Sequence, residues 1–600
     1  MFIKKIIQSN AYVNIIAALL LSVTFILAFS SMLGDSATMD ELAHIPAGYS
    51  YVSQKDYRIN PEHPPLIKDI AALPLLTQKL NFPNQCPCWT KEVNSQWWLG
   101  NEFLYHSGNN PDRIIPLART PMIIVLIILG ISIFIFAKKF FGPEVALLSL
   151  FLFSFSPNLI AHGRLVTTDI GAALGFLIAT FFWLIFLKNP SKKNIVLAGI
   201  TFGIAMLMKF SLILLLPFFA IITFIWPLLK NRRRGWKSSF LSLSKYIILA
   251  LVIMAIGAIF VIWPIYQINM LHYPIARQAS DTKTLLKSNS LTPLKNLCIW
   301  MAQKPIFRPF AHYLLGLLMA TQRTVTGNTS YFMGMVSASG WWYYFPTVFA
   351  LKVPLPLQIL LLIALLSMAY LIKSPFWIKP WERLLEWSEK HFIELSLLIA
   401  IVIYWGVSIS GHLNIGIRHI LPTFPPLYIL GSLGIIIWIH SIKKENFRKI
   451  AISLIIILLI WYASSSLLTW PYYLSYFNEI GGGVKNGYKY VVDSNYDWGQ
   501  DLKRLKNWVD ENHIDKIYVD YFGGGDTKYY LGSKWKPWTG TNPAKDFPKG
   551  NYLAVSATLL QGGMGNPVPG FNQPNGYYLW LKNYKPIARA GTSIFIYYIQ

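Results

Sequence analysis

The chain has 600 residues, of which 54% are hydrophobic and 13% charged, and its mean hydropathy is +0.42. That balance excludes an ordinary soluble globular protein and puts the chain in a bilayer. The formal charge of +26 does not indicate a nucleic-acid partner, because the Lys and Arg residues fall in short clusters between apolar runs of roughly 20 residues instead of gathering on one polar segment.

A helix rises about 1.5 Å per residue and the hydrocarbon core is about 30 Å thick, so each apolar run of roughly 17 to 25 residues is a candidate span. In chain order the candidates are 11–32, 115–137, 145–160, 170–187, 195–208, 210–229, 246–266, 344–372, 393–410, 420–440 and 451–470, about eleven in all. The first run is long enough to span and lacks a small-residue cleavage site, so it reads as a retained helix and not a signal peptide.

Basic clusters fall on alternate connections: Lys4 and Lys5, Lys138 and Lys139, Lys188 with Lys192 and Lys193, Arg232 to Arg234, Lys379 with Arg383, and Lys443 with Lys444. The excess of Lys and Arg marks these as cytoplasmic, which puts the N-terminus inside and the C-terminus outside. Arg164, Lys209 and Arg418 are exceptions on the outer side and need a reason. Two long outer connections, 33–114 and 267–343, are rich in Trp, Tyr and Pro, and pairs such as Trp97-Trp98 and Trp341-Trp342 suit the headgroup layer. The tail has no spanning run. Its strand-like stretches 516–521, 552–556 and 593–599, punctuated by glycine clusters, indicate a small external α/β domain. The expected architecture is a polytopic α-helical membrane protein, with a transmembrane catalytic domain over 1–470 and a soluble external domain over 471–600.

The chemistry-bearing residues gather near the outer face. Asp40, Glu41 and His44 follow the first run, and ionisable groups at that depth are costly unless they are paired or functional. Glu62, His63 and Lys68 lie in a proline-stiffened stretch of the first long loop. Glu62 and His63, with His44, are weak candidates for a divalent metal, since no fixed helical spacing supports them. Asp169 opens a span just after Arg164, where the alternative to function is a simple helix cap. Two acids on separate helices at one face make a stronger case than either alone. Lys209, Lys352 and the pair Arg418-His419 supply cations suited to a lipid phosphate or to pairing with the acids. In the tail, 493–501 has the acidic spacing of a calcium loop. However, Trp498 and Arg504 stand where such a loop needs Gly and Glu, so a polar turn or an acceptor contact is expected there. Three cysteines are too few for a disulfide framework. Cys86 and Cys88 stand too close to pair easily with each other, which leaves free or buried thiols, or a bridge from one of them to Cys298.

These motifs resemble the GT-C glycosyltransferases, in the branch of protein O-mannosyltransferases and lipid A aminoarabinose transferases. The resemblance rests on Asp40-Glu41, on Glu62-His63-Pro64-Pro65, on the stretch from Arg164 through Asp169, and on Gly203 through Lys209. It implies that Asp40 is the catalytic acid-base position, that Asp169 is a second positioning carboxylate, and that basic groups hold a carrier phosphate. His44 and His63 depart from the Arg and Lys that aminoarabinose transferases carry in these neighbourhoods. Independently of the family, an outer-face site has no access to cytosolic nucleotide sugars, and no glycine-rich phosphate loop accompanies a soluble strand-helix unit. The expectation is a glycosyltransferase in a bacterial cell membrane. It would move a sugar from a polyprenyl-phosphate carrier to a lipid, envelope-glycan or protein acceptor, with no nucleic acid involved. The alternative from another class is a multispan lipid or glycan flippase, which should show internal pseudo-symmetry; no repeat is visible.

Overall fold

The computed structural model describes residues 9–232, 236–371 and 379–600. Lys4, Lys5, Arg233 and Arg234 of the charge pattern, and Ile372 at the end of the run 344–372, lie outside the described residues. Among the described residues eight helices are long and apolar enough to cross a membrane, and two bent helix pairs raise the number to ten. The chain is a multi-pass membrane protein. The remaining apolar run, 195–208, forms the helix Lys192–Met206, whose 15 residues give about 22 Å of rise, short of the hydrocarbon thickness.

Proline accounts for both bends. Pro143–Ser154 and Pro157–Gly163 meet at 64°, where Pro157 withholds its N–H and the Ser156 side chain caps the new helix by accepting from the Leu159 N–H. Tyr344–Lys352 turns by 111° into the next helix at Val353-Pro354, because a residue before proline is pushed into extended backbone.

A third break sets up the site. The first span, Asn10–Met32, stops, and Met39–Tyr49 starts again behind a capping box in which the Glu41 carboxylate accepts from the Thr38 N–H at 2.8 Å. The carbonyls left open at the break are collected by Arg119. Its guanidinium donates to Met32 O, Asp35 O and Ser36 O at 3.1, 3.2 and 2.8 Å, and it grips both Glu41 oxygens at 2.8 and 2.7 Å. Asp40 and His44 then stand one turn apart on the restarted helix.

The tail holds a five-stranded sheet in the order Trp535–Pro537, Ile517–Asp520, Asn551–Ser556, Ile594–Ile599, Ala588–Ala590. The first three strands are parallel, and the last two pair antiparallel. Three of the five match the strand-like runs; the two edge strands are three residues long and carry no alternation to read. The tail docks on the break after the first span, with the Ser36 N–H on Gln500 O at 3.0 Å and the Gly524 N–H on Ala37 O at 3.2 Å. A small sheet also joins Ser330–Phe332 and Met335–Ser337 to Asn566–Pro567.

The cysteines correct the sequence reading. Cys86 and Cys88 form a disulfide with each other, and Cys298 is buried and free. Cys86 caps the short helix Pro87–Thr90, and this turn brings the two Cα atoms to 5.1 Å, a separation that spacing alone does not reveal.

Removing one partner of a buried pair leaves an uncompensated charge, so Arg119→Ala should destabilise the protein by about 3–5 kcal/mol, read as a lowered denaturation midpoint of the detergent-solubilised chain.

Candidate functional site

At the end of the bundle near the Met32 break lies a cavity of about 430 Å³ with a mixed lining. Asp40, His44, Glu62, His63, Lys209, Arg418, His419 and Arg323 line it, together with apolar residues such as Phe210, Leu214, Leu317, Val325 and Val407.

Four charges from distant parts of the chain lock together beside it. Arg418 Nη1 lies 2.6 Å from Asp40 Oδ2 and 3.5 Å from Asp169 Oδ2, while Lys209 Nζ lies 2.5 Å from Asp169 Oδ1. The two acids are not equivalent. Asp40 lines the cavity with its side chain 20% exposed, whereas that of Asp169 is 0% exposed, enclosed behind the two cations. Burial pushes the Asp40 carboxyl up, but the charge and hydrogen bond of Arg418, with His44 nearby, outweigh it and hold the group below its ordinary range. Asp40 is therefore ionised at neutral pH.

The histidines are set by burial. His44 Nδ1 lies 2.9 Å from the Val166 carbonyl, so the neutral ring carries its proton there and leaves Nε2 as an acceptor. Burial lowers its pKa despite Asp40. The His63 ring meets His44 edge-on at 4.9 Å, and burial, with His44, Lys68, Lys209 and Arg323 around it, keeps it neutral. Glu62 accepts from Gln96 Nε2 at 2.5 Å and Asn94 Nδ2 at 3.2 Å. Among the described residues no group of three or more His, Cys, Asp or Glu side chains is placed to hold a metal ion, so Glu62 and His63 have no third ligand.

Four residues read as carrier-binding candidates are instead spent inside the protein and line no part of the cavity. Glu41 is consumed by Arg119, Thr38 and the Val166 N–H. Lys68 Nζ is enclosed by Tyr51 Oη, Asn60 O, Asn60 Oδ1 and His63 O at 2.8 to 2.9 Å. Arg164 pairs with Asp35 at 2.8 Å, and Lys352 donates to the carbonyls of Leu474 and Asn495. The reason is common to all four: each cation or acid satisfies backbone polar groups at a chain break inside the protein.

The tail segment 493–501 makes its polar contacts inside the protein. Asp501 Oδ2 accepts from the Thr592 and Ser593 N–H groups at 2.8 and 2.9 Å, and Asp497 Oδ2 accepts from the Thr558 N–H at 2.8 Å. Trp498 is buried, with Arg418 4.3 Å over its ring. Sequence reasoning missed Arg323, which ends the helix Arg308–Thr326 as an ordinary last-turn basic residue would, and Tyr404, which sits within an apolar span.

Residues 115–263 match the family model described as dolichyl-phosphate-mannose-protein mannosyltransferase, a stretch that includes Arg119, Arg164, Asp169 and Lys209. That stretch is what the chain shares with this family of membrane mannosyltransferases. Among solved structures, ArnT from Cupriavidus metallidurans bound to undecaprenyl phosphate is 13% identical, with 97% of both chains covered and a TM-score of 0.42. The S. cerevisiae protein O-mannosyltransferase complex bound to the sugar donor is 11% identical over 76% of this chain and 90% of that one, with a TM-score of 0.49. The apo Archaeoglobus fulgidus oligosaccharyltransferase is 12% identical over 88% of this chain and 64% of that one, with a TM-score of 0.47. No curated protein matches the sequence.

The unequal burial of the two acids separates their mutants. Asp169→Asn should cost about 3–5 kcal/mol by leaving Lys209 without its partner, while Asp40→Asn should cost less, because Arg418 keeps Asp169 as a partner; paired thermal denaturation curves of the two variants make the comparison.

Proposed function

We propose that this protein transfers a sugar from a polyprenyl-phosphate carrier to an acceptor hydroxyl at the outer face of the membrane, with Asp40 as the base. The observation that carries this reading is the cavity's mixed lining: an ionised carboxylate and cations together with a set of apolar side chains. A lipid phosphate has the matching combination of charged head and hydrocarbon tail. The family description matched by residues 115–263 names a lipid-phosphate sugar donor and supports the same class of reaction.

Charge accounting favours an anionic ligand. Arg418 and Lys209 are balanced by Asp40 and Asp169, whereas Arg323 lines the cavity and forms no ion pair among the described residues. Phosphate in the cavity would face Arg323, Arg418 and Lys209. Glu62, held by two amides, and the His44 Nε2 acceptor are placed for sugar hydroxyls.

The reaction is a single inverting displacement. The acceptor oxygen forms a bond to the anomeric carbon, its proton passes to the Asp40 carboxylate, and the carbon–oxygen bond to phosphate breaks with the electron pair leaving on the phosphate. Phosphate leaves as an anion and needs charge stabilisation more than a proton, which the cations supply. A carboxylate held low by Arg418 is a weak base, yet it is fully ionised across the working range, and the hydroxyl becomes acidic as the new bond forms. Asp169 acts behind this, fixing Lys209 and Arg418. In the proposed orientation the N-terminus is cytoplasmic and the tail from 471 is an external domain over the site, as in a bacterial cell membrane. The sugar, hexose or pentose, and the acceptor, lipid, glycan or protein, are to be read from the product.

Comparison of envelope glycolipids and glycoproteins by mass spectrometry, with and without the chain, should reveal one missing sugar; an unchanged profile rejects the transferase reading. Asp40→Asn should lower turnover roughly 10²–10⁴-fold in a protein that still folds, and near-normal turnover would remove Asp40 from the role. Because transfer requires the ionised carboxylate, and Arg418 holds that carboxyl below its ordinary value, the rate should fall on acidification only below about pH 4. A pH–rate profile with its acid limb near neutrality contradicts this assignment.

A further inference from the structure

The tail motif at 493–501 lines no part of the cavity, yet it encloses the residue on which the cavity's charges turn. Three contacts from it fix the turn that carries Arg418. Asn495 Oδ1 accepts from the Ile417 N–H at 3.0 Å, the Ser494 hydroxyl donates to Ile415 O at 2.5 Å, and the Trp498 ring lies 4.3 Å from the Arg418 guanidinium carbon. The fit is close: a Cβ on Gly416 would stand 2.2 Å from Ser494 Oγ. The other member of the catalytic pair is fixed from the same place. The Trp498 carbonyl accepts from the Met39 N–H at 3.0 Å, directly before Asp40. Trp498 itself is immobilised, its N–H donating to Gln500 Oε1 at 2.9 Å while Gln500 O accepts from the Ser36 N–H.

We propose that Trp498 is a positioning residue for the Asp40–Arg418 pair: its ring fixes the guanidinium, and its carbonyl fixes the start of the helix that bears Asp40. The inference rests on the reading of that pair as the reaction centre. An arginine over an indole face is attracted by the ring's negative quadrupole, most strongly when both are out of water, and tryptophan provides the strongest such face, phenylalanine a weaker one. Two carboxylates pull the same guanidinium from one side, Asp40 and Asp169, and Asp493 adds a third charge nearby. The indole covers another face, so the cation cannot leave Asp40 for Asp169 or Asp493 without losing the stack. Through this one residue the folding of the tail is coupled to the charge state of the cavity. Trp498 touches neither acceptor nor carrier in this arrangement; it acts through Arg418.

The test uses the full chain in detergent, with Trp498→Phe and Trp498→Leu, and follows the Asp40 carboxyl by infrared titration, assigned by its loss in Asp40→Asn. The groups facing Asp40 are Arg418, His44, Asp169 and, from the tail, Asp493; with Arg418 loosened, burial wins and the titration moves up. The expected order is wild type lowest, Phe higher, and Leu highest by about one pH unit, in variants that retain the wild-type unfolding midpoint to within a few degrees. An unmoved Asp40 titration in both variants overturns the proposal, as it does in the Phe variant alone if the Leu variant fails to fold. Undecaprenyl phosphate binding, measured in parallel, should weaken about tenfold in Leu and less in Phe. A shifted titration in the variants, with no undecaprenyl phosphate bound even by the wild-type chain, would reject the carrier reading while leaving the positioning role standing; binding that persists unchanged in Leu alongside an unmoved titration rejects the positioning role alone.

Discussion

Everything at the candidate site depends on Arg418 standing between two carboxylates. Its guanidinium reaches Asp40 and Asp169 at once, and Lys209 closes the set from the far side of Asp169. Two positive and two negative groups make a neutral cluster, the form in which charges survive away from water. Even so, taking each ion out of water costs several kcal/mol, and a set of well-packed apolar side chains would serve stability as well or better. A cluster assembled from residues 40, 169, 209 and 418 at the end of a hydrophobic bundle therefore makes more sense for what it does to a ligand than for what it does for the fold.

The same cluster divides the labour between two acids that look alike in the sequence. Both follow or open a helix near one face, and both are paired with Arg418. What separates them is enclosure. Asp169 is enclosed behind Lys209 and Arg418 and lines no part of the cavity, while Asp40 keeps an edge on it. Environment sets the roles, as with any pair of carboxylates whose surroundings differ.

The spans are legible in the sequence because an apolar run of that length matches the bilayer and little else, and the helix geometry accounts for each shortfall: prolines bend two runs, and one is 15 residues long. Asp40 and His44 are legible as ionisable groups just beyond the first span, and the restarted helix Met39–Tyr49 sets them one turn apart. The exceptions to the charge rule, Arg164, Lys209 and Arg418, each pair with an acid from another part of the chain, so an unfavourable residue in a short outer turn is itself the signal. What cannot be read is partnership across hundreds of residues. Nothing near Glu41 announces Arg119, and nothing near Lys68 announces the cage of Tyr51 and Asn60. The cations Lys68, Arg164 and Lys352 share a sequence appearance with Lys209 and Arg418; only the fold tells which of them face a cavity and which close a chain break. Trp498 stands out in the sequence only as the residue that spoils a calcium loop, because its partner Arg418 lies far upstream in the chain and meets it only in space.

Two forces could hold the buried Asp169 carboxylate, its own helix or the ion cluster, and their magnitudes decide between them. An acid at the first position of a helix is stabilised by the helix dipole, worth about 0.3–1 kcal/mol and up to about 2 when partly buried, and a side-chain cap adds about 1 kcal/mol. The helix Asp169–Lys188 shows no side-chain cap at Thr168, and the Asp169 oxygens turn to Lys209 and Arg418 instead. Against a desolvation cost of several kcal/mol for a fully enclosed carboxylate, the dipole and a cap together fall short, and only the two cations close the gap. The residue is thus held by the ion cluster and not by its own helix, which is why its loss would be felt by Arg418 and, through Arg418, by Asp40.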